Sequence, residues 1–348
     1  MTVHEILEDG RVRELYKATG GPWGGNMVNE DFVKYLCDVF SEEVIETMKH
    51  EFPSDFVDLL HDFEEIKHRI NLSNEDEVRL NLPRCLDEVY LSVKNKNLQY
   101  AFDKDNVCKT KGAYLNRHRL SIPTVLIAKM IEEVAKRISS HLSSLLKKKG
   151  NENLNFIVMV GGFSNSPIVI QEIRNQVQIP VIVPENPEVS VAKGAVIFGW
   201  NPNMFKSRKS KWTYGLYIER TFLENIHPER LMIYDDDNVK HCHSCFDKLV
   251  SVNEEVEIDQ IVTRSYTPGA HNQLAMHISV YESERINVSY CDEPGVRKLG
   301  VIKVPMADAT GDKERRVKVE VRFGGTEFFV ICKDVTTGAV RSAQYDFL

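Results

Sequence analysis

No apolar run among the 348 residues approaches the length needed to span a bilayer, and the start, Met-Thr-Val-His-Glu-Ile, lacks the basic and hydrophobic regions of a signal peptide. A cytoplasmic protein with no membrane partner is expected. Basic charge is also in short supply: 44 Lys and Arg face 51 Asp and Glu, a formal net charge of −7. With basic runs confined to Lys147–Lys149 and Lys206–Lys211, that balance argues against a nucleic-acid partner. Cysteines number only seven, an odd count scattered along the chain, which fits reduced thiols better than a disulfide framework. The compact cluster His241-Cys242-His243-Ser244-Cys245 has a spacing that suits zinc or a redox pair, but no second ligand pair follows at a typical separation, so no metal is expected.

Hydrophobic content of 42% and charged content of 27% are ordinary for a globular protein, and the length suffices for two domains with real cores. Residues 156–167 organise the first of them. Five apolar residues from Phe156 run into Gly161-Gly162, then Ser and Asn, then Pro167, which reads as buried strand, tight turn and helix start. Glycines there admit positive φ and let a flat ligand approach the backbone, or they serve only as a packing device. Upstream, residues 1–17 read as a hairpin around Glu-Asp-Gly with Val3, Ile6 and Leu15 partly buried. Gly20, Gly21, Gly24 and Gly25 then lead into an amphipathic helix from Val28 to Phe40. Without a following Lys-Ser/Thr pair this loop is not a P-loop. It either presents amides to a ligand or simply packs Trp23 under the helix.

A helical pattern from Ser41, broken at Pro53, brings Glu64, Lys67, His68 and Asn71 onto one face. That face is either a polar edge able to grip a ribose or purine, or a solvated surface of Glu–Lys pairs. A long helix opens at Ser121-Ile-Pro123, with Ile127, Ile131, Val134, Ile138, Leu142 and Leu145 at core spacing. The strand at Phe156, a helix from Pro167 to Val177 and the strand Ile179–Val183 make a βαβ unit with a parallel sheet. In the last helix of this half, Gly194 is read as allowing close approach to that sheet. Residues 206–211 read as a solvated basic linker, and beyond them short alternating strands, among them Val256–Ile261, signal an antiparallel β-sandwich.

The run Val-Met-Val-Gly161-Gly162-Phe163-Ser-Asn165-Ser-Pro167, followed by Asn186-Pro187-Glu188-Val-Ser-Val191-Ala192-Lys193-Gly194-Ala195, resembles the adenosine motif and final helix of the nucleotide-binding domain in the 70-kilodalton heat-shock chaperones. Residues 19–32 are similar to the segment after that family's second phosphate loop, and Glu64-x-x-Lys67-His68-x-x-Asn71 to its purine-clamping helix. The family pattern has serine where Phe163 stands, arginine at Asn165 and His68, and tyrosine at Lys193. These departures keep the backbone part of the adenine site, alter its cation stacking and point to a divergent branch.

Taken residue by residue, the resemblance implies nucleotide contacts at Gly25, Glu64, Lys67, His68, Asn71, Gly161, Gly162, Phe163, Asn165 and Glu188, and no catalytic residue. It implies an α/β lobe of an actin-like ATPase fold over residues 1–200, with a helical subdomain near 29–120. A linker at 201–212 and a lidless β-sandwich at 213–348, similar to the chaperones' peptide-binding domain, complete the expected layout. The family's phosphate loops and catalytic lysine match positions upstream of Met1, so an N-terminally incomplete chain is expected. ATP or ADP binding would then be weak or vestigial, with Mg only where the upstream lobe is present, and without meaningful ATPase activity. Extended peptides or protein clients are the expected partners. A non-catalytic interaction module, or a truncated gene model of a longer protein, stands as the alternative.

Overall fold

A computed structural model describes residues 1–70, 76–104, 112–148, 153–306, 315–324 and 326–347. The chain divides into two compact units, one of Met1–Thr19 with Phe198–Leu348 and the other of Gly20–Ile197. Strands β1 (Val3–Ile6) and β2 (Val12–Tyr16) form the antiparallel hairpin expected, closed through Gly10 at φ +80°. Val3 is buried and Leu15 half-buried, but Ile6 is exposed. It lies three residues from Val3, and a strand's two-residue period turns it to the opposite face.

In the Gly20–Ile197 unit, α1 (Gly25–Phe40), α2 (Glu42–Glu51) and α3 (Pro53–Arg69) wrap an apolar core. Val28, Phe32, Tyr35, Leu36 and Val39 recur every three or four residues along α1 and are buried, as an amphipathic helix requires. Phe32 stacks on Phe63 of α3 with centroids 3.7 Å apart and planes 4° from parallel, which locks the two helices together. Pro53 sits in the first turn of α3, where its missing N–H costs nothing. A small antiparallel sheet follows, with β3 (Glu77–Asn81) beside β5 and β5 beside β4, while α4 (Cys85–Lys94) and α5 (Leu98–Lys104) lie between β3 and β4 in the chain. Here β4 is Tyr114–Asn116 and β5 is Arg119–Pro123.

The long helix α6 runs Thr124–Leu146 and buries Ile127, Ile131, Val134, Leu142 and Leu145. Its start is later than expected, because Ser121-Ile-Pro123 pairs with β3 as the end of β5. Strand β6 (Ile157–Val158), helix α7 (Pro167–Gln176) and strand β7 (Val181–Ile182) form the expected βαβ unit, with β6 and β7 parallel. The last helix of this stretch, α8 (Pro187–Trp200), does not use Gly194 for close packing: a Cβ there meets nothing within 4 Å. Parallel strands only two residues long offer little surface for a helix to lie on.

In the other unit the basic stretch read as a linker is strand β8 (Phe205–Lys209). It pairs in parallel with β2, and Ser207 and Ser210 are fully buried. Glu14 explains part of this: its buried carboxylate accepts the Lys209 N–H at 2.8 Å, and β8 is paired on its other side by a later strand, Glu255–Glu257.

The succeeding strands are β9 (Thr213–Thr221), β10 (Met232–Tyr234), β11 (Lys240–Val250), β12 (Glu255–Glu257), β13 (Ile261–Tyr266), β14 (Ala275–Ser283), β15 (Val296–Pro305), β16 (Val317–Gly324), β17 (Glu327–Asp334) and β18 (Val340–Asp346). They include two antiparallel sheets, in the orders β10-β11-β9-β14-β15 and β13-β16-β17-β18. The expected single strand 256–261 is two strands, interrupted at Asp259, which adopts the left-handed φ of +66°. Both sheets contribute to one core. Val317, Val319, Val321 and Phe323 of β16 alternate with Lys318, Glu320 and Arg322, and meet Leu216, Val280 and Ile302 of the other sheet in the same cluster.

Candidate functional site

The N-terminal turn of α1, the last turn of α3 and the Gly161-Gly162 turn surround a cavity of about 740 Å³ in the Gly20–Ile197 unit. Six of the ten residues singled out from the sequence line it: Gly25, Glu64, Lys67, His68, Gly162 and Phe163. Gly161 is not on the wall but shapes it. At φ +92° it turns the chain out of β6, and its N–H donates to Pro187 O at 2.7 Å. Asn165 and Glu188 are not on the wall either. They bind each other, Asn165 Nδ2 donating to Glu188 Oε2 at 3.0 Å, and this bond joins the end of the Gly-Gly turn to the first turn of α8. Hydrogen bonds from its own backbone N–H and from Asn165 hold the Glu188 carboxyl below its ordinary range. Asn71 lies outside the described residues.

At the floor sits Lys67, whose side chain is only 1% exposed although the surrounding Glu64-Glu65-Ile66-Lys67-His68-Arg69 reads as surface. Its ammonium donates to Gly25 O at 3.1 Å, Asn29 Oδ1 at 2.9 Å and Glu64 Oε1 at 2.6 Å. Three donors meet three acceptors, so the charge is spent on the protein and fixes the start of α1 against the end of α3. Burial pulls the Lys67 pKa below its ordinary value, against the pull of Glu64. For Glu64, burial works to raise the pKa, but the hydrogen bonds from Lys67 and Asn29 and the nearby charges of Lys67 and His68 outweigh it, leaving the carboxyl lowered. Its second oxygen is 3.5 Å from His68 Nε2.

Packing calls for glycine at one point of the wall. A Cβ at Gly25 stands 2.9 Å from Lys67 Nζ, so any side chain there displaces the ammonium. A Cβ at Gly162 would meet only ordinary contacts, His68 at 3.8 Å and Glu188 at 3.9 Å, so its bare backbone is open to the cavity without being demanded by packing. Phe163 presents an aromatic ring to the cavity from a four-residue 3-10 turn, Gly162–Asn165. Beside it, the α1 N-terminus carries no side-chain cap, leaving first-turn amides for acceptor oxygens. The glycine-rich loop both packs Trp23, which contacts the core and lies 5.1 Å from the His141 ring, and lines the cavity. Two carboxylates, Glu30 and Glu64, stand against the single ammonium of Lys67 on the wall. The site therefore suits a neutral, planar group with hydrogen-bonding edges better than a phosphate chain.

Asn29 escaped the sequence reading, although its place one helical turn after Gly25 puts it directly over that residue. It is the side chain that bridges Glu64 and Lys67.

No helix among the described residues is long and apolar enough to cross a membrane. No family model matches the chain. Over 355 aligned residues it is 33% identical to heat shock 70 kDa protein 12A of Mus musculus and 32% identical to that of Homo sapiens. Over 361 residues it is 28% identical to heat shock 70 kDa protein 12B of Homo sapiens. Each alignment covers 100% of this chain and 52% of the relative, so the chain spans about half the length of the curated relatives it matches.

Proposed function

Taking homology to heat shock 70 kDa protein 12A and 12B along the whole chain as the premise, we propose that residues 20–197 hold the adenosine end of an adenine nucleotide in the cavity beneath Gly162. The observation that carries the reading is the convergence of Gly25, Glu64, Lys67, His68, Gly162 and Phe163 on one wall from three separate stretches of sequence. Adenine fits against the Gly162 backbone with Phe163 as its stacking face, where the family pattern has serine. The ribose hydroxyls meet Glu64 and the uncapped amides of α1. Lys67 acts as a positioning residue, because its donors are consumed by Gly25, Asn29 and Glu64. No residue is given a hydrolytic role, and the proposal for this chain is binding of ATP, ADP or adenosine without ATPase activity.

Residues 213–348 are proposed as a β-sandwich of peptide-binding type in a cytoplasmic chaperone-family protein. Support comes from the shared core of the two antiparallel sheets and from the apolar side chains Val301, Phe329 and Val340 on their outer faces. An array of extended apolar peptides that shows no preference over polar ones would remove this part.

Calorimetry of the chain with adenosine, ADP and ATP tests the nucleotide reading. Adenosine and ADP are expected to bind within about threefold of each other, since one charge-assisted phosphate contact alone would separate them by about 1.5–3 kcal/mol. Absence of heat with all three ligands would refute it, leaving a non-catalytic interaction module.

A further inference from the structure

Away from the cavity, in the unit that contains the large antiparallel sheets, three side chains converge with the chemistry of a soft-metal site. Cys242 and Cys245 lie three residues apart on β11, a spacing at which an unbroken strand turns its side chains to opposite faces. This strand is broken. Its register against β9 shifts between Cys242 and Cys245, and Ser244 takes a left-handed φ of +62°. Such a bulge re-aims the side chains, and both cysteines are buried in one cluster with Leu231. The segment between β9 and β10 brings His227 to them: a ring nitrogen and the two Sγ atoms lie within 4.8 Å of one another.

We propose that His227, Cys242 and Cys245 bind one zinc ion. With Zn–S near 2.3 Å, two sulfurs of a tetrahedral site stand about 3.8 Å apart, so the three ligand atoms need close by no more than about 1 Å on binding. Ligation releases both thiol protons to solvent, and the two thiolates cancel the charge of the cation, which allows it to occupy a buried position. The thiols are weakly held: each donates to a backbone carbonyl at a long 3.5 Å, and the two lie close enough to interact with each other. The His227 ring is held edge-on between Phe222 and Tyr290, and its Nδ1 accepts the Leu223 N–H at 3.0 Å. Ligation through Nε2 gives up that one neutral hydrogen bond. The fourth position falls to water or to Cys291, which is buried beside Cys245 and donates to its carbonyl at 3.6 Å. From the sequence, Cys-x-x-Cys lacked a partner because His227 is 15 residues before Cys242, outside the usual spacing, and only the strand pairing brings it in.

The test uses the full chain, reduced and stripped with a chelator, then titrated with zinc against a chromophoric chelator and in parallel with cobalt(II). One equivalent should bind, with the visible bands of tetrahedral cobalt and a thiolate charge-transfer band. His227→Gln, a half-buried conservative change that leaves both thiols, should weaken binding by at least about 10-fold, the loss seen even for outer ligand partners. The double substitution C242S/C245S should abolish the charge-transfer band, and C37S, in the other unit, should leave it intact. Failure of the reduced wild-type chain to take up stoichiometric zinc overturns the proposal. So does an affinity unchanged in both His227→Gln and C242S/C245S, or a Cys242–Cys245 disulfide that forms in air whether or not zinc is present.

Discussion

Lys67 is the residue on which the candidate site depends. Removing its ammonium while keeping the stem, as in Lys67→Met, leaves Asn29 Oδ1 and Gly25 O without that donor and a partly buried Glu64 with Asn29 Nδ2 in place of two donors. Hydrogen bonds to charged groups are worth about 1.5–3 kcal/mol, and Glu64 retains some water, so the loss is expected near 2 kcal/mol by urea denaturation. A change under about 0.5 kcal/mol would mean the network is ornamental. The pair also sets a pH signature. Glu64 titrates below its ordinary 4.5 in the folded chain, so its contribution is whole above that value and is lost as pH falls through the lowered one. Lys67, also lowered, releases its proton earlier in the folded chain than in the unfolded one, so its effect is a gain in stability as pH rises toward 10.5. Glu64→Gln should flatten the acid limb of stability measured between about pH 3 and 5, and an unchanged acid limb would contradict the assignment. The Glu64–Lys67 pairing was legible in their helical spacing; the burial of the lysine was not. A lysine flanked by Glu65, His68 and Arg69 gives no sign of burial, and what buries it is the start of α1, about 40 residues away in sequence.

At the scale of elements, the apolar period did most of the predictive work. In α6 the three- and four-residue spacing of Ile127, Ile131, Val134 and Leu142 matched the buried face, because helix geometry is local. Strand edges were harder to read. Ser121-Ile-Pro123 looked like a cap because serine and proline favour helix starts, yet pairing with β3 claimed the segment. The basic stretch at 206–211 looked solvated until β2 and β12 closed on either side of β8. Register also decides what glycine does in β9. Gly215 faces Lys248 of β11, and the Phe246 ring lies across it, over the place where a Cβ would stand. Gly215→Ala therefore forces the ring aside and should cost about 1–3 kcal/mol, as overpacking does. Gly194→Ala on α8, with open space at its Cβ, should cost nothing and gain slightly from helix propensity. Equal effects of the two substitutions in thermal melts would contradict the packing described.

For the molecule as a whole, the two units have separate cores, one built on Phe32, Phe63 and the face of α6, the other on Val319, Phe328 and Val330. Differential scanning calorimetry should resolve their unfolding: Phe32→Ala should lower one transition by an amount matching about 3–5 kcal/mol, and Val330→Ala should lower only the other. A single transition moved equally by both would show that the cores unfold as one. Homology reaches across both units, since the alignments with heat shock 70 kDa protein 12A cover the whole chain. The central claim remains local to one of them, the seating of adenine between Gly162, Phe163 and His68. Photolabelling with 8-azidoadenosine followed by peptide mapping tests it most directly. The account predicts label on peptides spanning residues 64–68 or 162–163, competed by adenosine and lost in Gly162→Val. Label confined to other peptides, or label that Gly162→Val leaves unchanged, would contradict it.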